Sequence, residues 1–519
     1  MGDFEFYRQP HDYQRQTFER SKDAEFWACF YDPRCGKSKI TLDTFRYNYA
    51  NNRVTALVVI AFPSDVHLVW GDEVPKDFPP DFMAQTKMLV WRRGKMSGRA
   101  GVAAMNEVMA HDGPKVVTLN CEAIMTDLAW NFLRKFWRKN KVMLVVDEDW
   151  AINWTARTRR LLAMGKNANT VMRRLLTGTP AEEGPHNLYY PTTFLKPGCL
   201  GFTSMTAFKN RYFEYEQEED GQRKKGFNRK TNTEFDILKG YQHLEELQQK
   251  LSKFSDRVVR KGSTKIYSHR YFELTPKQRR AYDKLRDEYS VELTGVEFSV
   301  GNVLTRMTRL QMVARNYWPP TTNGEPCPFC MMTGYLETGD ECNSCQGLGM
   351  IISTTDFERI DDRSPALEAL VEELRYSHRP FVVWARFQQD VSDALEAALT
   401  VYPGRVARFD GSVPQADRVV VYRAFQEGAL DGIVATEKSS LSRGHDLRRA
   451  KLMVYYSNEW SGRDRRQSED RAESTDTEDW TDIVDLVAAD TRDLDVIGAL
   501  QQKKSIGEMI TGNGVRAVI

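Results

Sequence analysis

The chain has 519 residues, with Lys+Arg at 73, Asp+Glu at 72 and a formal net charge of +1. A balance this even excludes a histone-like or basic-tail protein but leaves room for a locally basic cleft. With 41% hydrophobic and 28% charged residues, the composition excludes a disordered chain and a membrane protein, and at about 150 residues per domain the length is roughly three to four domain-lengths.

The opening, MGDFEFYRQPHDYQRQ, has no basic segment followed by an apolar one, so no secretory signal is expected. Phe6 stands where myristoylation needs Ser or Thr. No stretch approaches the ~20 consecutive apolar residues of a membrane span. The expected location is the cytoplasm, with no membrane partner. Of the 8 cysteines, Cys29, Cys35, Cys121 and Cys199 are scattered and read as plain thiols in a reducing compartment.

EFWACFY (25–31) reads as a strand. It runs into Asp32-Pro33-Arg34-Cys35-Gly36-Lys37-Ser38 and then the helix-like KITLDTFRYNYA. Strand, glycine-containing loop, Lys-Ser and helix is the context of a nucleotide phosphate site. Backbone N–H groups and the helix N-terminus attract the anion. The lysine offsets phosphate charge, and the serine can ligate Mg²⁺. Arg34, Cys35, Gly36, Lys37 and Ser38 are therefore candidate nucleotide-binding residues. Only one glycine of the usual loop is present, so an ordinary strand-to-helix turn is the alternative from these residues alone.

VTALVVIAFP (54–63), KVVTLN (115–120), KVMLVVDED (141–149) and VMRRLLTGTP (171–180) are short apolar runs with helical segments between them. They read as strands of a parallel sheet buried on both faces. The run at 141–149 ends in acids. That places Asp147 at a strand end where it can hold Mg²⁺, and Glu148 where it can orient and polarise an attacking water. Solvated acids at a strand end are the plain alternative, and the phosphate loop upstream weakens it.

The stretch 195–363 is polar and charged, and it reads as helical in its middle. GQRKKGFNRK (221–230) gathers Arg223, Lys224, Lys225, Arg229 and Lys230 around Phe227, within a loop or short hairpin. It is a candidate phosphate-binding cluster, with a solvated loop as the alternative. TRMTRLQMVARNYW (305–318) reads as a packed helix. Cys327-Pro-Phe-Cys330 and Cys342-Asn-Ser-Cys345 follow. Two Cys-x-x-Cys pairs fit a closed tetrahedral Zn²⁺ site, with a four-cysteine Fe–S cluster as the other option. The zinc would either staple a short insertion or present a contact to DNA or a partner.

A second series begins near residue 364. Its strands are expected at 379–387, 405–412, 432–437, 451–460 and 480–490, with helices at 366–377 and 389–402. The fold class is therefore α/β, with two parallel-sheet units.

The order of these motifs resembles a superfamily 2 helicase-type ATPase, in particular its Swi/Snf-like branch in the compact form carried by bacteriophages. PHDYQRQTF (10–18) resembles the Q-motif, with Gln14 in the adenine-reading position. DPRCGKS resembles motif I, and residues 56–79 are similar to motif Ia, with its Trp-x-x-Glu pattern at Trp70 and Glu73. VVTLNCEAI, VVDEDWAIN and LLTGTPAEEGPHNLY resemble motifs Ib, II and III. FVVWARFQQDVSDAL, ATEKSSLSRGHDL and QSEDRAES resemble motifs IV, V and VI, and residues 499–514 are similar to the closing helix of the phage-type members.

The resemblance implies two RecA-like lobes that bind ATP and Mg²⁺ and move along DNA, with duplex favoured over single strands and RNA as a further option. It implies catalytic roles for Lys37, Asp147, Glu148 and Arg471 and nucleotide contact by Gln467. Thr177, Gly178, Thr179, Gly444 and Asp446 would couple nucleotide state to lobe movement. The implied organisation is lobe 1 at 1–195, a mainly helical extension at 196–320, a Cys₄ zinc insertion at 321–352, and lobe 2 with its closing helix at 353–519. The setting would be host cytoplasm for a phage-encoded chain, in replication, recombination or repair.

Three positions depart from the family pattern. Ser474 replaces the second arginine of motif VI, Trp150 replaces a common histidine in motif II, and Ser442 replaces a common glycine in motif V. Loss of an arginine finger costs on the order of 10³-fold or more in rate. Arg443, Arg465 and Arg466 are the neighbouring candidates to replace it. The departures motivate a rival reading, a nucleotide-gated DNA-binding protein with impaired hydrolysis, beside that of an RNA helicase.

Overall fold

The structure is a computed structural model. It describes residues 4–61, 66–92, 94–148, 155–178, 180–181, 184–218, 221–228, 233–260, 263–295, 300–318, 325–327, 350–351, 358–377, 379–439, 441–442, 445–474, 478–501 and 516–518. The chain divides into two compact units. One comprises Met1–Tyr212, Tyr241–Lys261 and Lys503–Ile519; the other comprises Phe213–Gly240 and Gly262–Gln502.

In chain order the strands begin with β1 (Phe26–Tyr31), β2 (Ala56–Ala61), β3 (Lys87–Val90), β4 (Lys115–Asn120), β5 (Val142–Asp147) and β6 (Thr170–Thr177). Next come β7 (Phe213–Tyr215), β8 (Lys225–Asn228), β9 (Thr233–Asp236), β10 (Leu238–Tyr241), β11 (Ser255–Arg260) and β12 (Thr264–Phe272). The short β13 (Glu325–Pro326) and β14 (Met350–Ile351) precede β15 (Phe381–Ala385), β16 (Val406–Phe409), β17 (Gly432–Thr436), β18 (Leu452–Tyr455), β19 (Trp480–Ala488) and β20 (Arg516–Val518).

The first unit is built on an eight-stranded sheet in the order β20-β11-β1-β6-β5-β2-β4-β3. Its ladders are parallel. Strands β2, β4 and β5 are buried along their whole length. That is why these segments are largely apolar runs instead of alternating patterns. The second unit has a six-stranded parallel sheet in the order β12-β19-β18-β15-β17-β16. One side of it packs Val383, Ala385, Val434, Leu452, Val454 and Leu486 into a core with the helices Pro365–Ser377 and Gln388–Val401. The α/β class with two parallel-sheet units is thus observed.

The segment 196–320 contains strands beside its helices. It supplies β7 to β12 as well as the helices Met205–Tyr212, Leu244–Leu251, Pro276–Gly295 and Val300–Ala314. Within it, β11 pairs with β1 in the first sheet and β12 pairs with β19 in the second. β12 attaches as an edge strand, which a polar sequence permits because an edge needs backbone partners more than apolar side chains, whereas β11 lies between β1 and β20. At the C-terminal end β20 pairs with β11, so the last strand belongs to the first unit; of the expected closing helix at 499–514, residues 499–501 end a helix that begins at 493, and 502–514 lie outside the described residues.

Candidate nucleotide site

In a parallel sheet, neighbouring strands end on the same edge. β1, β6 and β5 are adjacent, with Phe30 in register with Thr177 and Asp147 in register with Leu176. The C-terminal ends of these strands therefore carry the loop 32–38, Gly178 and the acids Asp147 and Glu148 side by side. This is the edge where open α/β sheets bind ligands.

The loop is shaped by two left-handed residues, Arg34 at φ 67° and Gly36 at φ 78°. Gly36 is the N-cap of the helix Lys37–Ala50, whose first turn receives no side-chain cap. A Cβ at Gly36 would lie 2.2 Å from Gln14 Nε2, and with the backbone left-handed there a side chain would be strained. Gln14 itself is buried; its Nε2 donates to the Cys35 carbonyl at 3.1 Å, and the Tyr13 hydroxyl donates to the same carbonyl at 3.1 Å. Its amide thus braces the loop from the helix Asp12–Ser21. Lys37 Nζ donates to the Tyr31 carbonyl at 2.8 Å, and Ser38 is half-buried.

Asp147 is buried, and the indole of Trp70 donates to its Oδ2 at 2.7 Å. Trp70, from the helix Val66–Asp77, is itself 1% exposed. Glu148 adopts φ 64°, a strained conformation for a non-glycine residue. Its backbone N–H donates to the Leu176 carbonyl at 2.7 Å, and the buried Thr177 hydroxyl donates to its Oε2 at 3.1 Å. Gly178 lies against the loop, because a Cβ there would meet the Tyr31 carbonyl at 3.3 Å and Pro33 at 3.4 Å. Thr179 and Trp150 lie outside the described residues.

Sequence reading missed Arg257 of β11. Its guanidinium forms a buried ion pair with Asp32 at 3.0 Å and donates to the carbonyls of Phe30 at 3.0 Å and Gly178 at 3.2 Å. One arginine thus fastens the base of the loop to the residue after β6. Its role becomes visible only once β11 is known to lie beside β1.

In the second unit, the helix Gly462–Ala472 is capped by the Ser461 side chain and buries Gln467. Arg471 Nε donates to the Ser442 carbonyl at 3.0 Å, joining the candidate motif V and VI segments. The Ser442 hydroxyl donates to the carbonyls of Glu437 at 2.6 Å and Ser439 at 3.0 Å, which gives a serine a bonding role where glycine is common. Asp446 pairs with Arg448 at 2.6 Å; Gly444 and Arg443 lie outside the described residues.

Ser474 falls beyond the helix and is bonded to Ser263, its N–H donating to Ser263 Oγ at 2.9 Å and its carbonyl accepting from Ser263 N–H at 3.1 Å. Arg465 is not a spare arginine. It is buried, binds both oxygens of Asp485 at 2.6 and 3.1 Å, and bonds Glu469 at 2.7 Å and Asn458 at 2.6 Å. Arg466 faces Asp470 at 3.8 Å, and Lys265 bonds the same carboxylate at 2.6 Å.

Glu437 sits fully buried beside this network. Its Oε1 accepts from the Glu459 N–H at 3.1 Å, while Oε2 has no hydrogen-bond partner among the described residues. Burial pushes its carboxyl up to about 8, with Arg465 opposing and Glu459 adding to the rise. The folded value lies above the unfolded one, so the unfolded chain releases this proton first as pH rises. The contribution to stability is complete below about 4.5 and is lost by about 8. Glu437→Gln is expected to flatten the fall in melting temperature across that window, an effect on the order of a few kcal/mol. An unchanged pH profile in the variant would contradict a buried, protonated Glu437.

The basic cluster at 221–230 is partly neutralised within the chain. β8 and β9 form an antiparallel hairpin. Arg223 and Lys225 pair with Asp236 at 2.7 and 2.5 Å, and Lys224 pairs with Glu216 at 3.3 Å. Arg229 and Lys230 lie outside the described residues, as does the side chain of Phe227. The helix Val300–Ala314 buries Leu310, Met312, Val313 and Ala314, as a packed helix should. No helix among the described residues is long and apolar enough to cross a membrane.

Cys327 is buried, while Cys330, Cys342 and Cys345 lie outside the described residues. Among the described residues no group of His, Cys, Asp or Glu forms a metal cluster.

Residues 365–474 match the family model for the helicase conserved C-terminal domain. The matched span lies within the second unit and ends at Ser474. No curated protein matches the sequence. Among solved structures, the chain is similar to the SWI2/SNF2 ATPase core of Sulfolobus solfataricus in complex with dsDNA, at 16% identity and a TM-score of 0.36, covering 99% of this chain and 95% of that one. It is similar also to the SWI2/SNF2 ATPase core domain of the same organism, at 16% identity and a TM-score of 0.35, covering 99% and 92%. Scores this low do not define a shared arrangement of whole chains.

Proposed function

We propose that the chain is an ATP-dependent translocase acting on duplex DNA, of the Swi/Snf-like kind and of phage type. The observation that carries the nucleotide half of this reading is the convergence of the loop 32–38, Asp147 and the Glu148–Thr177 pair on adjacent ends of one parallel sheet. The helicase-domain match over 365–474 supports the motor half.

The loop fits a phosphate group. Two left-handed residues turn its backbone, an uncapped helix N-terminus follows it, and a side chain at Gly36 would be strained. Lys37 is assigned to phosphate charge and Gln14 to the base. Ser38 and Asp147 are assigned to Mg²⁺, which when bound would neutralise phosphate charge. Trp70 holds one Asp147 oxygen in place. Glu148, fixed by Thr177, is assigned to orienting the attacking water. Arg471 and Gln467 are assigned on the resemblance alone to the developing charge and to nucleotide contact. Thr177, Gly178, Thr179, Gly444 and Asp446 are assigned to coupling.

Displacement of a third strand from a DNA triplex tests the motor reading. ATP-dependent displacement, absent without hydrolysable nucleotide, is expected. ATP binding without displacement would favour a nucleotide-gated DNA-binding protein, a reading that Ser474, tied to Ser263 beyond the helix end, keeps in view. Displacement or hydrolysis driven only by RNA would favour an RNA helicase.

Zn²⁺ is assigned to Cys327, Cys330, Cys342 and Cys345. The antiparallel pairing of β13 with β14 supports a closed insertion, because it brings the ends of the intervening segment together beside the buried Cys327. Elemental analysis of the purified chain is expected to give one zinc per chain, lost in Cys342→Ser. Iron, or no metal, would overturn the assignment.

A further inference from the structure

The helix Asp127–Lys139 buries Ala129, Phe132, Leu133, Phe136 and Trp137. Arg134, Lys135, Arg138 and Lys139 are exposed between them, and exposed Lys141 follows before β5. Positions four apart lie one above the other on a helix, so these residues form two cationic rows on one solvent face. Asp127, in the first turn, is the acid on this helix. Among the described residues, none of the five cationic side chains makes a hydrogen bond or ion pair.

The cluster at 223–225 is the instructive contrast. There the cations meet Asp236 and Glu216, whereas here no acid among the described residues pairs with them. The charge is felt by its neighbours. Lys115, buried at the start of β4, is pushed below its ordinary value chiefly by burial, with Asp112 opposing and Lys139 adding to the depression. Favourable interaction with the helix C-terminus accounts for Arg138 and Lys139 in the last turn but not for Arg134 and Lys135.

We propose that this face is a DNA-contact surface that takes the phosphate backbone of a duplex. At 1.5 Å rise per residue, positions 134 to 139 span about 7.5 Å, close to two phosphate steps of roughly 3.4 Å on one strand. The surface is separate from the nucleotide loop. The helix ends where β5 begins, and about 20 Å of strand leads from there to Asp147. The surface rests on its own charge and shares with the function proposed above only its DNA partner.

The test compares the wild type with R134Q/K135Q/R138Q/K139Q by fluorescence anisotropy on a short duplex across a range of NaCl, beside ATP hydrolysis without nucleic acid. The variant is expected to bind about tenfold or more weakly at low salt, with a log–log salt slope shallower by about 2 to 3. Hydrolysis without nucleic acid stays unchanged. R134Q/K135Q alone should show about half the change in slope, which guards against a folding defect in the fuller variant. Unchanged affinity and slope would overturn the proposal, as would a wild type that fails to bind duplex. Weaker binding only to phosphatidylserine vesicles would also overturn it, assigning the face to a membrane surface. A slope shift without any DNA-stimulated hydrolysis would leave this surface standing and sink the motor instead.

Discussion

Lys37→Ala is expected to lower ATP turnover by on the order of 10² to 10³-fold, while leaving the protein folded. The magnitude is that of removing a single preorganised donor from developing negative charge in a site that excludes water. Folding should survive because Lys37 is half-buried and its ammonium bonds one carbonyl, that of Tyr31. Single-turnover hydrolysis beside a melting curve separates the two effects. Full turnover in the variant would mean that the loop 32–38 is an ordinary strand-to-helix turn.

Arg257→Gln is expected to destabilise the first unit by about 3 to 5 kcal/mol, the cost of removing one partner of a buried ion pair. Arg257 and Asp32 side chains are 8% and 9% exposed, so solvent compensates little. The loss also strips a donor from the carbonyls of Phe30 and Gly178. Roughly 2 to 4 °C of melting temperature is lost per kcal/mol in a unit of this size. Pairing the change with Asp32→Asn should recover part of the loss, because the stranded carboxylate is then gone. A fall of less than about 1 kcal/mol in Arg257→Gln would place the pair among weak surface bridges.

The strands β2, β4, β5 and β15 to β19 were legible because they are apolar runs framed by polar or breaker residues, the signature of strands inside a parallel sheet. β11 and β12 were not. β12 is exposed along most of its length and β11 reads SDRVVR, so neither carries a strong pattern. Their partners lie far away in sequence: β11 meets β1, and Arg257 meets Asp32, across more than two hundred residues. Such pairings follow from the topology of the sheet and from no local spacing.

The candidate site divides the same way. Lys37, Asp147 and Glu148 stood out because each ends or follows a recognisable strand. The contact of Trp70 with Asp147 was hidden, although Trp70 was visible as part of a motif. The cations of 134–139 were obscured by the aromatics between them, which turn out to be the buried face of the same helix. The run at 221–230 looked more basic in sequence, yet Asp236 and Glu216 answer much of its charge.

ATP hydrolysis by the purified chain, alone and with duplex DNA, single-stranded DNA or RNA, and beside Lys37→Ala, tests the central claim most directly. A nucleic-acid-driven motor predicts turnover stimulated by duplex DNA and abolished in the variant. Turnover indifferent to every nucleic acid, or surviving Lys37→Ala, would contradict it.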